Sequence, residues 1–238
     1  MNKMIDGHIH VTEELLPYLQ GVRCIANADC PEEYAFLKQA ALPDMVISAG
    51  VHPWKADTTS WVEMEPVLRE AAVIGEVGLD SEWCTVDMDV QREIFVQQLH
   101  LAAELGKPVI LHTKGMEREI LDTIRRYPNH YLVHWYACSC WLQEYIDAGC
   151  WFTVGPDVLL DQNVEMLAKM VPLDKLLIES DGVDGIGWGQ GKELTADEYP
   201  AALKQHLQTV AELRVIPAEA LAEQVERNFE TFLQYQLK

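Results

Sequence analysis

Short Val- and Ile-rich runs alternate with helix-length amphipathic segments along the whole chain, and this alternation restricts the possible folds more than any other feature. Eight runs read as strands, at residues 4–8, 22–26, 45–50, 73–77, 108–112, 131–135, 151–154 and 175–179. The clearest helix spans residues 90–105, where Val90, Ile94, Leu101 and Leu105 fall near helical spacing. Asp87 and Asp89 favour its start, and Gly106 followed by Pro108 ends it. Residues 32–41, 61–72, 116–127 and 140–148 read similarly, and the tail is helical over 196–213 and 217–237. Eight strand–helix alternations predict a TIM-like (β/α)8 barrel with C-terminal helices, built by residues 1–238 as a single domain. A doubly wound open sheet is the competing architecture.

Other features narrow the class. No apolar stretch approaches the roughly 18 residues of a membrane span. The start, MNKMIDGHIH, lacks the apolar core of a secretory signal, so a cytoplasmic protein without membrane contacts is expected. In that setting the six cysteines are expected to be reduced thiols. Eighteen Lys and Arg against 38 Asp and Glu give a net charge of −20, which repels nucleic acid and anionic membranes at long range. Divalent metals can reverse that sign inside a pocket, so a nuclease is allowed but a clamp on long duplex is not expected. Residues 181–195 carry five glycines around Trp188 and read as a loop, either a mobile lid or plain surface.

Metal-capable side chains collect at the ends of the predicted strands. His8 and His10 close the first, and their i, i+2 spacing puts them on one side. His52 follows the third, Glu76 lies near the end of the fourth, His112 and His134 mark the fifth and sixth, and Asp181 lies past the eighth. Singly, each has an ordinary reading: a hydrogen-bonded core histidine, or a turn-capping aspartate. Glu76 is harder to dismiss, because a carboxylate in an apolar strand is costly unless paired or metal-bound. Barrel strand ends converge on one face, so together these residues predict a shared metal site. Four imidazoles and two carboxylates without an obligate thiolate suit Mg, Mn, Zn or Fe. One bridging carboxylate would let six side chains serve two divalent ions, an arrangement able to hold a phosphodiester and activate water. Trp54, Trp83, Trp135, Tyr136 and Trp188 also follow strand ends, where bases could stack on them or where they could simply be core and rim.

These segments, in order, resemble the TatD family of metal-dependent deoxyribonucleases. IDGHIH is similar to the family's Asp-x-His-x-His, GVHPW to its Gly-x-His-Pro, and IGEVGLD to its Gly-Glu-x-Gly-Leu-Asp. QREIFVQQLHLAAELGKPVILH resembles its Gln-x-x-x-Phe helix and the strand that follows, VHWYACS its second strand-ending histidine, and ESDG its Glu-Thr-Asp. The closing ERNFETFL resembles its Asn-containing helix. The resemblance implies one ion on His8, His10, Glu76 and Asp181, and a second on Glu76, His112 and His134. It implies that Asp181 orients or deprotonates the attacking water, and that His52 contacts the phosphate or protonates the leaving oxygen. Asp6, Asp80 and Glu179 would orient ligating histidines. Lys114 stands where the family usually has arginine, keeping the charge without the fork suited to phosphate. Trp135, Tyr136 and Ala137 after His134, and Gly182 and Val183 after Asp181, also depart from the family pattern.

The function implied is a divalent-metal-dependent nuclease, a 3′-5′ exonuclease on single-stranded DNA ends. The alternatives are a metal hydrolase of a small ester, amide or aminoacyl-tRNA, and a TatD-like component of a multiprotein antiphage defence system. The fourth strand carries Glu76 and no lysine, which sets the chain apart from amidohydrolases that bridge their metals with a modified lysine.

Overall fold

A computed structural model describes residues 3–40 and 42–234. Eight parallel strands lie in sequential order: β1 (Met4–Ile9), β2 (Val22–Ala28), β3 (Met45–Ala49), β4 (Val73–Asp80), β5 (Val109–Lys114), β6 (Tyr131–Val133), β7 (Trp151–Val154) and β8 (Leu176–Ile178). Sequential order with no reversal excludes the doubly wound sheet. Apart from the first three residues of β3, the strands are almost wholly buried, which explains their near-continuous apolar character. Around them run α1 (Pro31–Ala40), α2 (Trp61–Glu70), α3 (Met88–Leu105), α4 (Glu117–Ile124), α5 (Leu142–Asp147), α6 (Gln162–Met170), α7 (Gly182–Gln190), α8 (Tyr199–Leu213) and α9 (Ala218–Leu233). Residues 41 and 235–237, expected in helices, lie outside the described residues. Among the described residues, no helix is long and apolar enough to cross a membrane, and the six cysteines are free thiols.

The glycine-rich stretch differs from expectation. Residues 182–190 form α7, not a loop, and of the five glycines only Gly182 and Gly191 use left-handed backbone angles. Gly185 instead permits close packing, since a Cβ there would lie 2.6 Å from that of Asp181. Strand ends also shift: β4 runs on to Asp80 with an irregular register between Ile74 and Val77, while β6 and β8 stop before His134 and Glu179.

Two buried glutamines of α3 fix the backbone beneath the site. Gln98 donates to Val51 O (3.1 Å) and accepts from Val51 N (2.6 Å). Gln91 does the same for Asp80, at 3.1 and 2.9 Å. The seam between β8 and β1 is joined through Asp6, whose carboxylate accepts from Ser180 N (3.0 Å), Ser180 Oγ (2.5 Å) and Tyr199 Oη of α8 (2.8 Å).

On α8, buried His206 sits with Nε2 2.8 Å from Val154 O. Burial lowers its pKa to about 4, against 6.5 in the unfolded chain. The folded state therefore binds this proton less readily, so the contribution to stability is full above pH ~6.5 and is lost as pH falls towards ~4. Relative to His206→Gln, wild type should lose about 2 kcal/mol on going from pH ~7 to ~5, or roughly 4–8 °C in Tm. Thermal melts of the two proteins at both pH values test this; parallel shifts would refute it.

Candidate metal centre

The strand ends bring the predicted residues together around the Glu76 carboxylate, which is 2% exposed. Its two oxygens face different partners. Oε2 lies 3.4 Å from His8 Nε2 and 3.5 Å from His10 Nε2. Oε1 lies 2.6 Å from His134 Nε2, 2.9 Å from His112 Nδ1 and 3.5 Å from His52 Nε2. Asp181 Oδ1 approaches His8 Nε2 at 3.3 Å and His10 Nε2 at 3.6 Å. Three sets (His8, His10 and Glu76; His8, His134 and Asp181; His52, Glu76 and His112) each place one donor atom per residue within 4.8 Å of the others. Asp181 takes left-handed backbone angles (φ 56°, ψ 25°) at the start of α7, a conformation aspartate tolerates better than most residues.

The donor set suits cations. His8 Nε2 and Asp181 Oδ1 are buried without a hydrogen-bond partner although they face one another. Buried donor atoms converging without well-formed hydrogen bonds are the arrangement expected of ligands around an ion. Electrostatics agrees. Burial and the neighbouring His134 oppose charge on His8, yet the carboxylates of Asp181 and Glu76 raise its pKa to about 10. His134 is likewise held well above the usual imidazole range, against burial, by Glu76 and Glu179. Burial alone would push Glu76 up; the imidazoles around it, His134 and His52 foremost, hold it well below the usual carboxylate range. A pocket that draws protons onto buried rings has negative potential that divalent ions would satisfy, releasing those protons.

Outer partners set the ring orientations. Asp80 Oδ2 lies 3.1 Å from His112 Nε2, which leaves Nδ1 to face Glu76, and it also accepts from Trp54 Nε1 at 2.6 Å. Glu179 Oε2 lies 3.5 Å from His134 Nδ1. Asp6 differs from its expected place. It makes no hydrogen bond to a histidine ring among the described residues and touches His8 only through the backbone N–H, at 3.4 Å. His52 Nδ1 accepts from Trp54 N at 3.2 Å, so the neutral ring carries its proton on Nε2, directed at Glu76 and the cavity.

The cluster floors a cavity of about 600 Å³. Lys114 lines it with Nζ 4.1 Å above the Trp83 ring and 3.8 Å from Glu82. Trp54, Trp83, Trp135 and Trp188 line it as well, but Tyr136 is 1% exposed and belongs to the core. Asp157 and Asp161, which no sequence motif marks, line the cavity too, as does Asp184. Asp157 follows β7 in a Gly-Pro-Asp turn, the same strand-end position that marked the histidines.

A family model described as TatD related DNase matches residues 5–234. The chain belongs to this family. Its similarity to the metal-dependent hydrolase YcfH of Escherichia coli K12 is 28% identity over 221 residues, 87% of this chain and 81% of YcfH. Similarity to the 3′-5′ ssDNA/RNA exonuclease TatD of Citrobacter rodentium is also 28%, over 204 residues, 80% of this chain and 78% of the relative. The crystal structure of YJJV, a TatD homolog from Escherichia coli K12, shares the fold with a TM-score of 0.81 at 22% identity, covering 100% of this chain and 99% of that one. As a TatD-family member the chain is a metal-dependent hydrolase acting on ester bonds.

Proposed function

We propose that this TatD-family chain, acting as a single domain, is a 3′-5′ exonuclease that hydrolyses phosphodiester bonds at single-stranded DNA ends with two divalent ions. The observation that carries the reading is the division of the Glu76 carboxylate, with Oε2 towards His8 and His10 and Oε1 towards His112 and His134. In this reading His8, His10, Glu76 and Asp181 would hold one ion, and Glu76, His112 and His134 would hold the other. Mg, Mn or Zn bound there would supply neutralisation of the phosphodiester and activation of water. The relative named as a 3′-5′ ssDNA/RNA exonuclease supports the substrate class.

The remaining steps fall to this chain's side chains. Asp181 is held below the usual carboxylate range by the neighbouring histidines, against its burial, so it is ionised and able to accept the proton of the attacking water. His52, with its proton on Nε2, donates to the leaving oxygen. Lys114 meets the phosphate as a point charge. Asp80 and Glu179 hold the His112 and His134 rings.

The test is digestion of a 5′-labelled single-stranded oligonucleotide by chelator-stripped protein before and after Mg²⁺, Mn²⁺ or Zn²⁺ is restored. The expected result is no cleavage without metal and a ladder shortening from the 3′ end with it. Absence of cleavage with two ions bound per chain would defeat the nuclease reading and favour a small-ester, amide or aminoacyl-tRNA hydrolase.

A further inference from the structure

No row of basic side chains leads away from the metal centre among the described residues lining the cavity. Among its described lining residues, two lysines stand against six carboxylates. Lys55 is engaged by Asp29 at 3.6 Å and Glu33 at 3.2 Å, and Lys114 leans on Trp83 and Glu82. With a chain charge of −20, a strand held through its phosphates would find little to hold it beyond the centre itself.

The mouth offers indoles instead. Trp83 follows β4, Trp135 follows β6 and Trp188 lies on α7, yet the three meet in one row. The Trp83 and Trp188 centroids are 5.8 Å apart and those of Trp135 and Trp188 5.4 Å, both edge to face at 72°. Trp83 is 51% and Trp188 64% exposed. Contiguous exposed aromatic surface of this kind marks a contact site.

The row is anchored. Trp135 Nε1 donates to Asp157 Oδ1 at 2.8 Å. Gly155 and Gly189 let that ring lie against backbone: a Cβ on Gly155 would come within 2.3 Å of it, and one on Gly189 within 3.2 Å. Trp83 N donates to Asp80 Oδ1 at 2.8 Å, and the same carboxylate's other oxygen meets His112, which ties the row to the metal centre.

We propose that Trp83, Trp135 and Trp188 form a nucleobase-stacking subsite, which holds the strand end beside the scissile phosphate in place of ion pairs to further phosphates. The proposal rests on the nuclease reading above. A base has two π-faces and no charge, so it can lie on indoles beside Asp157 and Asp184, where a row of phosphates would be repelled. Recognition would then depend on the presence of bases and little on salt.

The experiment compares a thymidine oligonucleotide with the same strand carrying abasic residues at its 3′ end, using metal-loaded enzyme. Trp188→Ala, whose ring does not touch Lys114, should raise KM for the base-bearing strand by about tenfold while kcat is largely kept, and should leave the abasic strand unchanged. Wild-type KM should rise less than about threefold between ~50 and ~200 mM salt. Equal KM for both strands, a steep rise with salt, or a loss confined to kcat would overturn the subsite and leave the nuclease intact. A second arm needs no turnover: dTMP, but not deoxyribose 5-phosphate, should quench tryptophan fluorescence, and Trp188→Phe should diminish the effect. If neither strand is cut the nuclease reading fails, and this arm still decides the subsite, because absence of dTMP quenching overturns it.

Discussion

Glu76→Ala should leave a folded barrel whose kcat/KM for single-stranded DNA is reduced by about 10³-fold or more. Its carboxylate stands between two groups of imidazoles, one oxygen to each, so one substitution would strip a donor from both proposed ion positions. Losing a group that merely orients a ligand typically costs 10–100-fold, so losing the shared ligand should cost more. Glu76→Gln sharpens the test. It keeps the volume and one acceptor, but its NH₂ can only donate, so it cannot offer an oxygen to each side. Metal analysis should give two ions per chain in wild type and fewer in either variant, while circular dichroism stays unchanged. A Glu76→Ala protein that keeps two ions and cuts at the wild-type rate would remove Glu76 from the centre.

The same carboxylate explains how much of the site was legible in the sequence. A glutamate inside an otherwise apolar strand breaks a rule of burial, and such breaks point to a site. The histidines were legible through position: barrel geometry converts strand ends far apart in sequence into neighbours, and the structure places His8, His10, His112 and His134 around Glu76. What pattern could not show were the contacts that depend on packing between elements. Residues 182–190 contain four glycines, a poor composition for a helix by propensity, yet α7 forms because its glycines fit closely against His10, Asp181 and Trp135. Tyr136 sits beside two rim residues in sequence but turns into the core, because β6 has already ended at Val133 and the chain turns at Trp135 (φ 38°). The pairing of Asp80 with both His112 and Trp54 links three segments that no local motif connects.

Asp6 shows the same limit and carries the second large effect. Its place in the opening Asp-x-His-x-His suggested a partner for a histidine ring; the structure gives it the barrel seam. One buried carboxylate serves Ser180 N, Ser180 Oγ and Tyr199 Oη, joining β1 to the end of β8 and to α8. Asp6→Ala would leave these donors buried and unpaired, at about 1–3 kcal/mol each before relaxation. The expected loss is about 3–5 kcal/mol of stability, or roughly 6–20 °C in Tm. Asp6→Asn should cost much less. Burial, opposed by the Ser180 and Tyr199 hydrogen bonds, already raises the Asp6 carboxyl to about 7, and an amide resembles its protonated form. Asn Oδ1 can accept from Ser180 N while the hydroxyls of Ser180 and Tyr199 rotate to accept from Nδ2. Since Asp181 N also bonds to His8 O across this seam at 3.2 Å, opening it should loosen the metal centre. Asp6→Ala should therefore bind metal more weakly as well as melt earlier, and Asp6→Asn should stay near wild type in both. Thermal melts with and without metal decide the matter: an Asp6→Ala protein as stable as wild type, or an Asn variant as damaged as the Ala one, would show that the seam is held by packing alone.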